Sequence, residues 1–239
     1  YINFSVVHNQ SVFSVSKNRV YFTYHGREKI HMTLVKICGI KNIAEAVCAV
    51  SHGAWAIGEV FAPSPRRLGV EEAAAINCTL NGSIMKMGVF VNEKLEEVER
   101  IAKLCRLDMV QLHGDEPPEY LDELKLPVIK CFSLTGSPEP DHFRRWRPYI
   151  YLFDTFSNAV RGGSGQTFNW EWLEELPREI RFILAGGLNP GNVGAAIQRL
   201  RPLAVDVSSG VEYPGGGKDP LLIEAFIREV KEADASVSQ

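Results

Sequence analysis

Long apolar runs are missing from this 239-residue chain. No stretch approaches the ~20 apolar residues of a membrane-spanning helix, so no membrane role is expected. Cysteine is sparse: Cys38, Cys48, Cys78, Cys105 and Cys131 are scattered and odd in number, and no C-x-x-C pair occurs. That leaves zinc-ribbon and thioredoxin-type readings without support and fits a reducing cytoplasm. An excess of one charge is also lacking. The net charge of −3 gives no basic field to attract nucleic acid or an anionic membrane. Linkers rich in Gly, Ser or Pro, low-complexity tracts and internal repeats are absent as well, so nothing divides the chain internally.

What is present is an ordinary globular composition, with 45% hydrophobic and 23% charged residues, enough for a sizeable core. Residues 1–31 differ from the rest. They mix Asn, Ser, Lys and His with single hydrophobes, show no clear period, and hold no acid before Glu28. They lack the continuous apolar core of a secretory signal. Met32 directly precedes the first convincing strand and reads as a natural start. Residues 1–31 are therefore expected to be an extension outside the fold, and 32–239 the folded domain. Arg19 and Arg27 alone are weak support for a transit peptide.

From Thr33 onward, strand and helix patterns alternate. Strands are expected at Thr33–Ile37, Ala54–Phe61, Ile84–Val91, Asp108–Leu112, Pro127–Phe132, Tyr149–Phe153, Arg181–Leu184 and Leu203–Val207. Helices are expected at Ala44–Ser51 behind an Asn42 cap, Glu71–Leu80, Glu93–Leu104, Pro117–Leu124, Pro138–Trp146, Asn169–Leu176, Pro190–Leu200 and Pro220–Lys231. The strands are near-continuous apolar runs, as expected when both faces are buried. About eight βα units predict a parallel sheet closed into a single barrel.

In such folds chemistry gathers at the C-terminal strand ends. Cys38 ends the first strand and is followed by Gly39; Asp154 ends the sixth. A thiol and a carboxyl there are a candidate base and acid, although a lone cysteine is more often a small buried hydrophobe. Lys36 lies on the same strand face as Cys38 and could favour a thiolate. Two segments, Ala185-Gly186-Gly187-Leu188-Asn189-Pro190 and Asp206-Val207-Ser208-Ser209-Gly210-Val211, follow the last two strands. Their glycines let backbone N–H groups approach an anion, and the serines add donors, so together they suggest a phosphate site. Arg66 and Arg67 follow the second strand, where an arginine can grip a carboxylate through two bonds. His113 ends the fourth strand as a positioning or structural group. Gly162-Gly163-Ser164-Gly165 reads equally as a lid or as a surface loop.

These segments, with Val35-Lys36-Ile37-Cys38-Gly39-Ile40, Gly88-Val89-Phe90-Val91-Asn92, Val110-Gln111-Leu112-His113-Gly114-Asp115-Glu116 and Phe153-Asp154-Thr155, resemble the phosphoribosylanthranilate isomerase family in order from Thr33 to the closing helix. The resemblance implies a single (β/α)8 TIM barrel, α/β in class, needing no cofactor and no metal. It implies the Amadori rearrangement of N-(5-phosphoribosyl)anthranilate to 1-(2-carboxyphenylamino)-1-deoxyribulose 5-phosphate in tryptophan biosynthesis. By resemblance, Asp154 is the general acid and Cys38 the general base; the thiol must be deprotonated to act, so a pKa below its ordinary value is expected. Arg66, or with a different loop length Arg67, grips the anthranilate carboxylate. His113 and Asp206 face the substrate, and Gly186, Gly187, Ser208, Ser209 and Gly210 hold the phosphate. The expected partner is a small phosphosugar, with no nucleic acid and no membrane, for a cytoplasmic monomer or homodimer. Three positions depart from the family pattern: Glu59 replaces an aromatic residue, Ala185 a serine, and Asn169 an aspartate. A related isomerase of histidine biosynthesis and a silent phosphosugar-binding barrel are the alternatives; the first has no second phosphate motif here, and the second should have lost the acid–base pair.

Overall fold

The computed structural model describes residues 4–8, 11–16, 19–24, 32–134, 136–137, 143–154, 170–177 and 180–237. Three strands come first: β1 (Phe4–His8), β2 (Ser11–Ser16) and β3 (Arg19–Tyr24). They pair antiparallel in the order β1-β2-β3, from Phe4↔Val15 to Ser16↔Arg19, as a sheet distinct from the barrel. Strands were not expected there. The segment's β-branched and aromatic residues, such as Val6, Val7, Val12, Val20, Tyr21 and Phe22, favour extended backbone even without a clean alternation.

The eight expected barrel strands are all present. They are β4 (Leu34–Cys38), β5 (Ala56–Val60), β6 (Met85–Phe90), β7 (Met109–Leu112), β8 (Val128–Ser133), β9 (Ile150–Asp154), β10 (Phe182–Ala185) and β11 (Ala204–Val207). All pair in parallel, and the pairing of β11 with β4 closes the ring. Helices α1 (Ile43–His52), α2 (Val70–Leu80), α3 (Leu95–Leu104), α4 (Pro118–Glu123), α5 (Glu171–Glu174), α6 (Val193–Leu200) and α7 (Pro220–Val237) follow strands in turn. Asn42 caps α1 as expected, its side chain accepting the Glu45 N–H at 2.9 Å. Most of the helix expected at Pro138–Trp146, the proposed Asn169 cap and the glycine-rich 162–165 loop lie outside the described residues.

Two helix ends differ from the sequence pattern. The α6 helix begins at Val193 rather than Pro190, because Asn189 and Asn192 first fold a turn: Asn192 Oδ1 accepts the Asn189 N–H and Asn189 Oδ1 accepts the Gly191 N–H, each at 2.8 Å. The α7 helix runs on to Val237 because its last turns have a buried task. Asp234, 8% exposed, accepts the N–H and the hydroxyl of Thr33, both at 2.7 Å. The end of the last helix is thereby tied to the start of the first barrel strand.

Alternation along the strands sorts their side chains. Outward-facing residues such as Ile37, Ile57, Phe90, Val110, Phe153 and Leu184 pack in one continuous core with the helices. Inward-facing Leu34, Ala56, Met87, Met109, Ile129, Cys131, Leu152 and Ala185 fill the barrel's own core. Nearer the C-terminal strand ends the interior turns polar, with Lys36, Gln111 and Asp206 all buried.

Candidate active site

Glu59 does not belong to this polar interior. It alternates with inward-facing Gly58 and points under α2, fully buried, where Asn77 Nδ2 donates to it at 2.9 Å. Burial raises its pKa to about 7, against the lowering effects of Asn77 and Lys86. The charge that departs from the family pattern thus has a partner in the helix layer.

Cys38 and Lys36 both face inward from β4. Asp206 stands beside Lys36 in the β11–β4 register, and its Oδ2 accepts from Lys36 Nζ at 2.9 Å. Burial opposes the Lys36 charge, but Asp206 and Cys38 outweigh it and the lysine's pKa rises. For Cys38 the expectation reverses. Burial is the largest influence and raises the thiol above its ordinary range, while the Lys36 ammonium is the strongest opposing one. The thiol's pKa thus lies above its ordinary value, not below it. Gly58, opposite Cys38 on β5, makes room for the pair: a Cβ there would lie 2.7 Å from Cys38 Sγ and 3.0 Å from Lys36 Nζ.

The loops above β4, β5 and β11 meet over this pair. Gly39 turns with φ +80°, and a Cβ on it would lie 2.6 Å from Arg66 Cδ. Arg66 thus reaches across the end of β4, while Arg67 is exposed and bonds through its backbone N–H to Ser64. Glu212 clamps Arg66 through two bonds of 2.7 Å, from Nε and from one terminal nitrogen. Lys218 Nζ donates to the same carboxylate at 2.7 Å and to the Ser208 carbonyl at 3.2 Å. Burial would raise Glu212, but hydrogen bonds from Arg66 and Lys218 dominate and hold its pKa down at about 2. Burial lowers Lys218, and Glu212 only partly restores it.

The two glycine and serine loops lie side by side at the next corner. Gly186 and Gly187 adopt φ of 91° and 64°. Ser208 donates its hydroxyl to the Cys38 carbonyl at 3.1 Å, and a 3-10 turn, Ser209–Val211, follows. A Cβ on Gly210 would run into the Leu188 carbonyl, so the loops touch, whereas a Cβ on Gly187 would meet nothing within 4 Å.

Asp154 faces inward from the end of β9, beyond β10 and β11 from Cys38 in the ring. His113 Nε2 lies 3.3 Å from its Oδ2. The His113 loop is held by Glu116, 3% exposed, which accepts from the Asn92 and Gly114 N–H groups and from Lys130 Nζ. Every residue assigned from sequence thus gathers at one barrel mouth except Arg67, which faces solvent. Sequence reasoning missed Gly58, Gln111, Lys218 and Glu212 as parts of the site. The position of Lys218 directly after Gly215-Gly216-Gly217, before α7, was the available signal. His113, Cys131 and Asp154 can also place ligand atoms within 4.8 Å of one another, a grouping that could hold a metal ion.

Comparisons with known proteins agree with this geometry. The family model described as N-(5'phosphoribosyl)anthranilate (PRA) isomerase matches residues 35–229. N-(5'-phosphoribosyl)anthranilate isomerase of Syntrophomonas wolfei is 61% identical over 201 residues, spanning 84% of this chain and 98% of that protein. A Thermotoga maritima structure, described as monomers of a dimeric phosphoribosylanthranilate isomerase, superposes with TM-score 0.75 at 38% identity over 84% of this chain and all of the other. A phosphoribosyl anthranilate isomerase in complex with reduced 1-(o-carboxyphenylamino)-1-deoxyribulose 5-phosphate gives TM-score 0.76 at 38% identity, with the same 84% and 100% coverage. This chain belongs to the N-(5'-phosphoribosyl)anthranilate isomerase family.

Proposed function

We propose that Asp154 is the acid and Cys38 the base of the family's isomerisation, with a phosphate held between them. The chain is an N-(5'-phosphoribosyl)anthranilate isomerase of tryptophan biosynthesis. The observation that carries the assignment of roles is the ring order: Asp154 on β9, the two glycine and serine loops after β10 and β11, then Cys38 on β4. A phosphate on Gly186, Gly187, Ser208, Ser209 and Gly210 anchors the sugar with its reacting carbons toward both groups.

Asp154 gives its proton to the ribose ring oxygen. The C1–O bond breaks as the anthranilate nitrogen lone pair forms a C1–N double bond. Cys38, as thiolate, then takes the proton from C2, and the electron pair moves to form an enolamine. Protonation at C1 and loss of the hydroxyl proton from O2 give the ketone. His113 positions the Asp154 carboxyl, and the Lys36 ammonium supports the thiolate once the substrate is in place. Glu212 occupies one edge of the Arg66 guanidinium, so the other edge receives the anthranilate carboxylate. Asp206 acts by holding Lys36. Residues 1–31 are read as lying outside the catalytic domain, 32–239.

Among the described residues no helix is long and apolar enough to cross a membrane, and all five cysteines are unpaired. These facts support a cytoplasmic enzyme, and the Thermotoga relative supports a monomer or homodimer. The test is turnover of freshly generated phosphoribosylanthranilate, followed by loss of its fluorescence. Asp154→Asn and Cys38→Ser should each abolish turnover while leaving unfolding transitions intact. Retained turnover in either folded variant refutes the assignment.

A further inference from the structure

We propose that His113, Cys131 and Asp154 form a binding site for a thiophilic divalent cation such as zinc, and that its occupation blocks the isomerase. The three residues come from three consecutive strands. Gln111↔Ile129 and Leu112↔Lys130 pair β7 with β8, so His113 and Cys131 follow one rung further on. Ser133↔Asp154 pairs β8 with β9. All three side chains turn inward, and their nitrogen, sulfur and oxygen atoms lie within 4.8 Å of one another.

The spacing suits zinc. Two ligand atoms about 2.0–2.1 Å from a tetrahedral ion are about 3.3–3.4 Å apart, and His113 Nε2 and Asp154 Oδ2 are 3.3 Å apart. Cys131 lies lower in the barrel, opposite Leu152, with its sulfur within 4.8 Å of the other two ligand atoms. One imidazole, one thiolate and one carboxylate are a donor set for zinc or cobalt, and a poor one for magnesium or calcium. The fourth position opens to the mouth, since the His113 and Asp154 side chains are 28% and 20% exposed.

Gln111 supplies an independent observation. It is 1% exposed, its Nε2 lies 3.3 Å from His113 Nδ1, and its Oε1 has no partner among the described residues. With the amide turned over, Oε1 accepts an N–H from Nδ1. That leaves His113 Nε2 without a proton and able to serve as the ligand, the arrangement in which metal-bound histidines are usually held, while the Gln111 NH2 takes the place of the buried oxygen. Binding forms bonds from the ion to nitrogen, sulfur and oxygen, and the Cys131 proton leaves to solvent. A metal-bound Asp154 then has no proton for the ribose ring oxygen. The block rests on the acid–base reading above; the site itself does not.

The test uses the full chain, freed of metal by a chelator and titrated with cobalt(II). We expect a thiolate-to-cobalt charge-transfer band that saturates at one ion per chain. Cys131→Ser should lose the band, Cys38→Ala should keep it, and Gln111→Ala should weaken cobalt binding by about tenfold. In the turnover assay, zinc should lower the wild-type rate, and the ratio of rates with and without zinc should return to one in Cys131→Ser. A missing band, a band that survives Cys131→Ser, or one lost in Cys38→Ala overturns the site. A band as expected with turnover untouched by zinc overturns the block. A metal-free wild type without turnover counts against the isomerase reading instead, and the cobalt titration still decides the site.

Discussion

Replacing Lys36 by methionine tests the site's electrostatic floor. Lys36 is fully buried and Asp206 is 8% exposed, so the ion pair at 2.9 Å has almost no water to screen it. Removing the ammonium leaves the Asp206 carboxylate buried without a cation, and its Oδ1 already has no partner among the described residues. Breaking a buried pair in this way costs about 3–5 kcal/mol. For a domain of this size each kcal/mol moves the midpoint by roughly 2–4 °C, so a fall of roughly 6–20 °C is expected. The folded-state pKa of Lys36 is raised, so its contribution is complete below the ordinary lysine range and is lost only as pH climbs through the raised value. The deficit should therefore be constant from roughly pH 6 to 9. Removing both charges in Lys36→Met with Asp206→Leu should recover most of the stability, because an apolar pair replaces an ionic one at little net cost. Denaturant unfolding of the three proteins reads this directly. A single variant within ~1 kcal/mol of wild type would refute the reasoning, as would a double variant no more stable than the single one. In turnover assays Lys36→Met also removes the strongest cation beside Cys38, so the thiol-dependent limb of the pH–rate profile should move to higher pH.

Three further outcomes follow from particular contacts. Glu59 has its pKa raised to about 7 by burial, so stability should fall as pH rises from roughly 4.5 to 7; Glu59→Gln should flatten that slope and gain about 2–3 kcal/mol at pH 8 in urea titrations. A Cβ at Gly58 meets Cys38 Sγ at 2.7 Å, so Gly58→Ala should push the base out of line and cut kcat by about 100-fold with KM little changed; unchanged kcat would show that the thiol's placement is not critical. Asp234→Ala strips Thr33 of both acceptors at the seam between α7 and β4 and should cost about 2–4 kcal/mol in thermal unfolding without altering KM.

The strand ends and the two glycine and serine loops were legible because each is a local pattern. An apolar run must leave the sheet at its last residue, so Cys38 and Asp154 could be placed at a barrel mouth from sequence alone. The glycine pair at Gly186-Gly187 and the Ser208-Ser209 step declared a close backbone approach in the same way. The antiparallel sheet of residues 4–24 was not legible, because its hydrophobes do not alternate and pairing between strands selected their register. The extent of α7 was hidden as well, since its last turns exist to bring Asp234 to a residue 201 positions away.

The sequence by itself determined the alternation, the identity of the candidate acid and base and which strand carries each, because period and side-chain chemistry are properties of short segments. Only the tertiary structure decided their electrical state and neighbours. Whether Cys38 rests as thiol or thiolate depends on how deeply β4 is buried and on Lys36, Asp206 and Lys218 converging from both ends of the chain. The placement of Arg66 across the end of β4 depends on Glu212, and the meeting of His113, Cys131 and Asp154 depends on the register of three strands. Such pairings follow from closing the barrel, which brings together groups that no local spacing relates.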